Sequence, residues 1–258
     1  MAGFQADLGE RLNYLCASNM KKFPVIVLLL ISLTVSGQKV TYNYLPDTSQ
    51  ADIKAVMHLF EQYIASDPQL KKENPYWNTA EQRAHQQYDF LESEFQPSLY
   101  MGLPVHVLSI KYNNGTYCIK AQFSYPQPDG TPYVLAIVNY LAKKENGTYK
   151  LYNYLTDYKE QWNCTTVGLV DFYYPDYHVF DYDKAQQLDD FIRQTCENLG
   201  VHPRPFEYFL AADYDEIQSL KGIDYYVGMG GANTPRGKAA EDKVYCGGLG
   251  EYYPHEVF

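Results

Sequence analysis

The sequence predicts an α+β fold followed by an incomplete α/β segment. Three observations carry that prediction. Apolar residues recur at helical spacing early in the chain, the period switches to two near Val105, and strand and helix patterns alternate after about residue 160. Helices followed by an antiparallel meander imply a sheet with its helices on one face.

Taken in order, residues 38–48 are polar and strand-like at best. Ser49-x-x-Asp52 forms a capping pattern ahead of Ile53, Val56, Met57, Phe60 and Ile64, which share one helical face. Thr79-x-x-Gln82 opens a second helix, to about Phe95, with a thinner apolar face of Ala80, Ala84, Tyr88 and Leu91. Residues 105–112 alternate as a strand, and Asn113-Asn114-Gly115 is a hairpin signal. Residues 116–125 return, and Pro126-Gln127-Pro128-Asp129-Gly130 makes a longer turn. Residues 133–143 form a third strand, Glu145-Asn146-Gly147 a tight turn and residues 148–155 a fourth strand. This helix-plus-meander unit, residues 38–160, looks like a cystatin-like or nuclear-transport-factor-like roll. That scaffold hosts both enzymes and inert binding modules, so architecture alone does not choose between them.

The texture then changes. Residues 167–180 read as a strand broken by Pro175, and Asp183 can cap a helix over 184–199 that Gly200 stops. A strand over 205–211, a short helix over 213–220 and a short strand over 223–227 follow. The glycine-rich Gly228-Met229-Gly230-Gly231 reads as a loop; it lacks the Lys-Ser/Thr that a phosphate loop requires. Residues 243–246 precede Gly247-Gly248-Leu249-Gly250, and Pro254-His255-Glu256 begins a new element.

Composition narrows the function classes. The net charge of −10, without any long basic run, argues against a nucleic-acid partner. Tyrosine is abundant, at 27 residues, which suits strands and half-wet surfaces. Met20-Lys21-Lys22, an apolar run to Val35 and the small residues Ser36-Gly37 predict a secretory signal over 20–37, after an upstream extension at 1–19. The run is short of the roughly 20 residues that span a bilayer. The chain is therefore expected to be exported: periplasmic, cell-surface or extracellular. Cys118, Cys164, Cys196 and Cys246 then either remain separate thiols or form two bridges in one of three pairings. Asn114-Gly115-Thr116, Asn146-Gly147-Thr148 and Asn163-Cys164-Thr165 match the glycosylation sequon, and turn chemistry already accounts for the first two. Asp213, Asp215 and Glu216 lack calcium-loop spacing, and the other histidines have no carboxylate at motif spacing.

Residues 165–258 carry a resemblance. Asp171-Phe172-Tyr173-Tyr174, Leu199-Gly200-Val201, Phe206-Glu207-Tyr208-Phe209-Leu210-Ala211, Pro235-Arg236-Gly237-Lys238-Ala239 and Tyr253-Pro254-His255-Glu256 occur in order. Together they resemble the N-terminal part of a peptidase-MA-like (gluzincin) zinc metallopeptidase. In that family a mixed sheet leads into an H-E-x-x-H helix and a later glutamate completes the metal site. The resemblance implies His255 as a zinc ligand and Glu256 as the catalytic general base, acting on a peptide or protein substrate. The second histidine would fall one residue past Phe258. Zn²⁺ is thus expected for an intact parent and not for these residues alone, because catalytic zinc needs three protein ligands. The rival expectation is a non-catalytic exported module that binds a ligand or a protein. A cystatin-like inhibitor is a third, without a sequence feature that singles out an inhibitory loop.

Overall fold

The computed structural model describes residues 40–43, 46–66, 74–84, 103–231 and 235–257. The expected signal at 20–37, the extension before it and the second helix beyond Ala84 lie outside the described residues. The described residues belong to one compact unit and form a mixed α+β architecture with two sheets.

The first sheet runs β1 (Val40–Tyr42), β2 (Val105–Asn113), β3 (Thr116–Pro126), β4 (Pro132–Glu145) and β5 (Thr148–Tyr152). The β2–β5 meander is antiparallel, and β1 pairs parallel to β2. Its two tight turns have positive φ at both central residues: 46° and 86° at Asn114-Gly115, 49° and 85° at Asn146-Gly147. That is the turn whose twist matches the flanking strands, and Asn-Gly tolerates it at least cost. Bulges after Val107 and Phe123 bend the sheet. Helix α1 (Ala51–Ile64) lays Val56, Leu59, Phe60, Tyr63 and Ile64 on the inward residues Ile119, Ala121, Phe123, Val138 and Tyr140. Phe60 and Tyr140 meet with ring centroids 5.3 Å apart. The short helices α2 (Thr79–Ala84) and α3 (Tyr154–Tyr158) follow.

The second sheet is built from β6 (Asn163–Val167), β7 (Val170–Tyr174), α4 (Tyr182–Leu199), β8 (Phe206–Ala211), α5 (Tyr214–Leu220), β9 (Ile223–Tyr226), β10 (Arg236–Ala240) and β11 (Lys243–Gly247). Its order is β10-β11-β8-β7-β6, with β9 absent from it. The central β7, β8 and β11 are parallel; the edges β6 and β10 are antiparallel. Helix α4 covers one face, where Ala185, Leu188, Ile192 and Cys196 pack on Phe172, Tyr208, Leu210, Val244 and Cys246. On the other face Tyr173, Phe209 and Tyr245 stack at 5.0 and 5.3 Å and enter the first core.

Strand β9 crosses to the first sheet and pairs antiparallel with β4. Asn139 secures the crossing: its backbone N–H donates to the Gly222 carbonyl at 2.7 Å and its Nδ2 to Asp224 Oδ1 at 2.9 Å. Ile217, Leu220 and Ile223 accordingly share a core with α1. Among the described residues no helix is long and apolar enough to cross a membrane.

Several local expectations change for identifiable reasons. Gln50 occupies the cap position of α1 and makes no side-chain cap bond, while Ser49 donates to Asp47 instead. Asp181 caps α4, accepting the Lys184 N–H at 3.1 Å, and Asp183 falls in the first turn. The fourth strand stops at Tyr152 because the Asn153 side chain accepts the Leu155 N–H at 2.9 Å and starts α3. The expected strand over 167–180 is instead the end of a hairpin. Gly168 turns it at φ 59°, with the Asp189 carboxylate where a side chain would stand. Asp189 is buried and accepts the Leu169 N–H at 2.9 Å. Residues 236–240, to which the sequence assigned no strand, form the edge strand β10.

Candidate functional site

The second sheet delivers the chain to His255 and Glu256 through a tightly tied segment. At the end of β11, a Cβ on Gly247 would lie 2.4 Å from the Tyr214 backbone nitrogen, so the helix α5 backbone presses directly on the strand. Gly248 N–H then donates to the Ala211 carbonyl at 2.9 Å. The buried Tyr208 hydroxyl donates to the Gly250 carbonyl at 3.0 Å and accepts a hydrogen bond from the Cys246 thiol at 3.0 Å. Burial pushes the Cys246 thiol up to about 12.

Glu251 ties the other flank. It is 2% exposed, and its Oε1 accepts the Asp181 N–H at 2.8 Å and contacts His178 Nε2 at 2.8 Å. These partners come from the loop between β7 and α4, so one buried carboxylate fastens that loop and the cap of α4 to the segment before His255. Tyr174 lies tilted beside His178, ring centroids 5.6 Å apart.

Residues Pro254–Glu256 form a 3-10 turn, closed by Val257 N–H donating to the Pro254 carbonyl at 3.2 Å. His255 is exposed, with its ring edge-on to Tyr253 at 5.9 Å. Glu256 is half-buried and lies over Gly237 of β10. It forms part of the wall of a cavity of about 420 Å³. Its lining includes the apolar Ile192, Phe206 and Val244 and the cationic Arg204 and Lys243. Lys243 is engaged with Asp242 at 2.6 Å and with Glu207 at 3.6 Å.

Zinc tests this arrangement severely. Among the described residues no three His, Cys, Asp or Glu side chains converge on a point that could hold a metal ion. Catalytic zinc requires three protein ligands and an open position. The described donor set, one exposed imidazole beside one carboxylate, does not fit the ion.

The structure also assigns work to residues that stood out for other reasons. Asp213 caps α5 through the Glu216 N–H at 2.8 Å. Asp215 accepts the Tyr226 hydroxyl at 2.5 Å and the Gly230 N–H at 2.8 Å, which fastens the glycine-rich loop to α5. Glu216 accepts the Ala212 N–H at 2.9 Å and the Tyr177 hydroxyl. The four described cysteines are free: Cys196 and Cys246 buried, Cys118 half-buried and Cys164 exposed.

One ionisable group was invisible in the sequence. Glu81 of α2 is 9% exposed and accepts the Asn153 N–H at 2.5 Å, joining α2 to the cap of α3. Burial raises its pKa from 4.5 to about 7, partly opposed by the Asn153 and Thr156 hydrogen bonds and by Lys143. His178 with Glu251 was equally hidden, because 73 residues separate them. No protein-family model, curated protein or solved structure matches this chain.

Proposed function

We propose that this chain is the N-terminal portion of an exported, zinc-dependent peptidase, with Glu256 as general base and His255 as one metal ligand. In this reading the 258 residues alone are expected not to hydrolyse peptides, because catalytic zinc needs three protein ligands and His255 supplies one. The observation that carries the reading is the position of the His255-Glu256 pair. It follows a five-stranded mixed sheet with one helix-covered face, beside the antiparallel edge strand β10. A mixed sheet ahead of the pair is what the gluzincin resemblance implies, and its presence supports the reading without being specific to it. An edge strand also leaves N–H and C=O groups that an extended peptide can pair with.

The preceding region supports a cystatin-like or nuclear-transport-factor-like roll, a helix on a bulged antiparallel meander. In this reading the roll is a fixed flank of the peptidase unit, because β9 is laid into it. Glu256 would take a proton from the attacking water, a task that requires its carboxylate held within hydrogen-bond reach.

The test begins with the source DNA read past the codon for Phe258. A histidine codon next, with a glutamate codon downstream, is the expected result; a stop codon there overturns the proposal and leaves a binding module. The encoded product should then retain zinc and cleave peptides. E256Q should lower kcat by roughly 10²–10⁴-fold, the usual share of a general base.

A further inference from the structure

Gly237 stands in the middle of β10, where glycine weakens a strand because it has no side chain to pack. Its φ is not positive, so backbone conformation does not demand glycine there. Space does. A Cβ on residue 237 would lie 2.5 Å from Tyr253 Cε1, 2.6 Å from Glu256 Cγ and 3.0 Å from Tyr253 Cδ1. Carbon atoms at rest sit about 3.5–4.0 Å apart. Tyr253 and Glu256 therefore both lie against the bare backbone of one residue. That residue is held in register opposite Cys246 of the buried strand β11.

We propose that Gly237 is a positioning residue: its missing side chain leaves a seat on β10 that fixes the stem of Glu256 at the wall of the adjoining cavity. The bearing of that seat on catalysis rests on the peptidase reading of Glu256. A glutamate on an exposed turn would otherwise sample many rotamers, and ordering it late costs free energy at the reaction step. Here the backbone of a sheet edge and the ring of Tyr253 confine it before any substrate arrives. The packing of the turn on the seat also explains why a strand-weakening residue occupies the centre of an edge strand.

The contact is read directly by NMR on the 258-residue chain. In the wild type, nuclear Overhauser contacts are expected from Gly237 Hα to Glu256 Hγ and to the Tyr253 ring; their absence overturns the proposal without any variant. In G237A, the Glu256 and Tyr253 side-chain resonances should shift and those contacts rearrange, while Tyr208 and Cys246 hold their positions. Unchanged Glu256 and Tyr253 resonances in folded G237A would also overturn it. A catalytic arm uses the zinc-loaded product of the source gene. There G237A should lower kcat roughly 10- to 100-fold, the effect of misplacing a reacting group by about 1 Å. KM and zinc content should stay within about twofold, as expected when the change withdraws stabilisation from the transition state and leaves substrate and metal binding alone. Hydrolysis surviving in E256Q would sink the base assignment and leave the seat to stand on the NMR result. An E256Q collapse beside an undiminished G237A kcat would sink the positioning role instead.

Discussion

Glu81 gives the clearest prediction at the level of single side chains. Its carboxyl is buried and its pKa is raised from 4.5 to about 7, with burial the main cause. A group whose folded pKa is raised supports the fold below the unfolded pKa, and that support is lost as pH rises through the folded value. The window is therefore about pH 4.5 to 7. Each pKa unit corresponds to about 1.4 kcal/mol, so the loss is on the order of 3–4 kcal/mol. E81Q keeps an oxygen for the Asn153 N–H and carries no charge, so its stability should change less between pH 5 and 8. Urea melts of both proteins at the two pH values check this; parallel curves would refute the buried-charge account. Tyr208 supplies a second prediction. Removing its hydroxyl in Y208F leaves the Gly250 carbonyl and the Cys246 thiol without their partner, which should cost about 1–3 kcal/mol. A guanidinium melt that matches wild type would show that water takes over both roles. Neither residue was legible as special in the sequence. Glu81 owes its environment to a backbone N–H 72 positions away, and Glu251 to a histidine 73 positions away. Local spacing, which does expose His255-Glu256 as a dipeptide, contains no information about such encounters.

At the level of elements, local chemistry was readable wherever a turn or cap is decided by neighbours. The two Asn-Gly turns, the Gly200 stop of α4 and the Asp213 cap of α5 follow from residues within one turn of each other. Asp181 against Asp183 marks the limit, since both can cap and only tertiary contact decides. Asp181 lies where Glu251 accepts its backbone N–H, and this fixes the helix start. D181A should therefore cost about 1 kcal/mol, the usual worth of a cap, and D183A less than about 0.5. Equal losses in thermal melts would return the cap to Asp183. Strand β10 was unreadable for a related reason: Arg236-Gly237-Lys238-Ala239-Ala240 has weak strand propensity, and its pairing with β11 supplies what the residues lack.

Across the whole molecule, the shift from period three-and-a-half to period two correctly announced α+β, yet the destination of β9 had no sequence signal. A four-residue strand looks the same whichever sheet receives it. Its placement beside β4, with Phe209, Ile217 and Tyr245 in the first core, links the two sheets energetically. I119A in the first core and L188A in the second should each cost about 2–5 kcal/mol. Both should lower a single shared unfolding midpoint, followed by tyrosine signals in near-ultraviolet circular dichroism. Two separated transitions, each sensitive to only one substitution, would show that the sheets melt independently.

The crossing also has a consequence for the chain while it is being made. Synthesis proceeds at roughly 5–20 residues per second, so the meander exists for seconds before Tyr226 emerges. During that interval β4 offers a vacant berth, shaped for an extended segment that has yet to arrive. A berth of this kind can also receive the corresponding strand of a neighbouring copy where copies are concentrated enough to compete with the tethered one, which is the route to strand-exchanged dimers. Crowded synthesis should then favour such pairs, and dilution should favour the closed monomer.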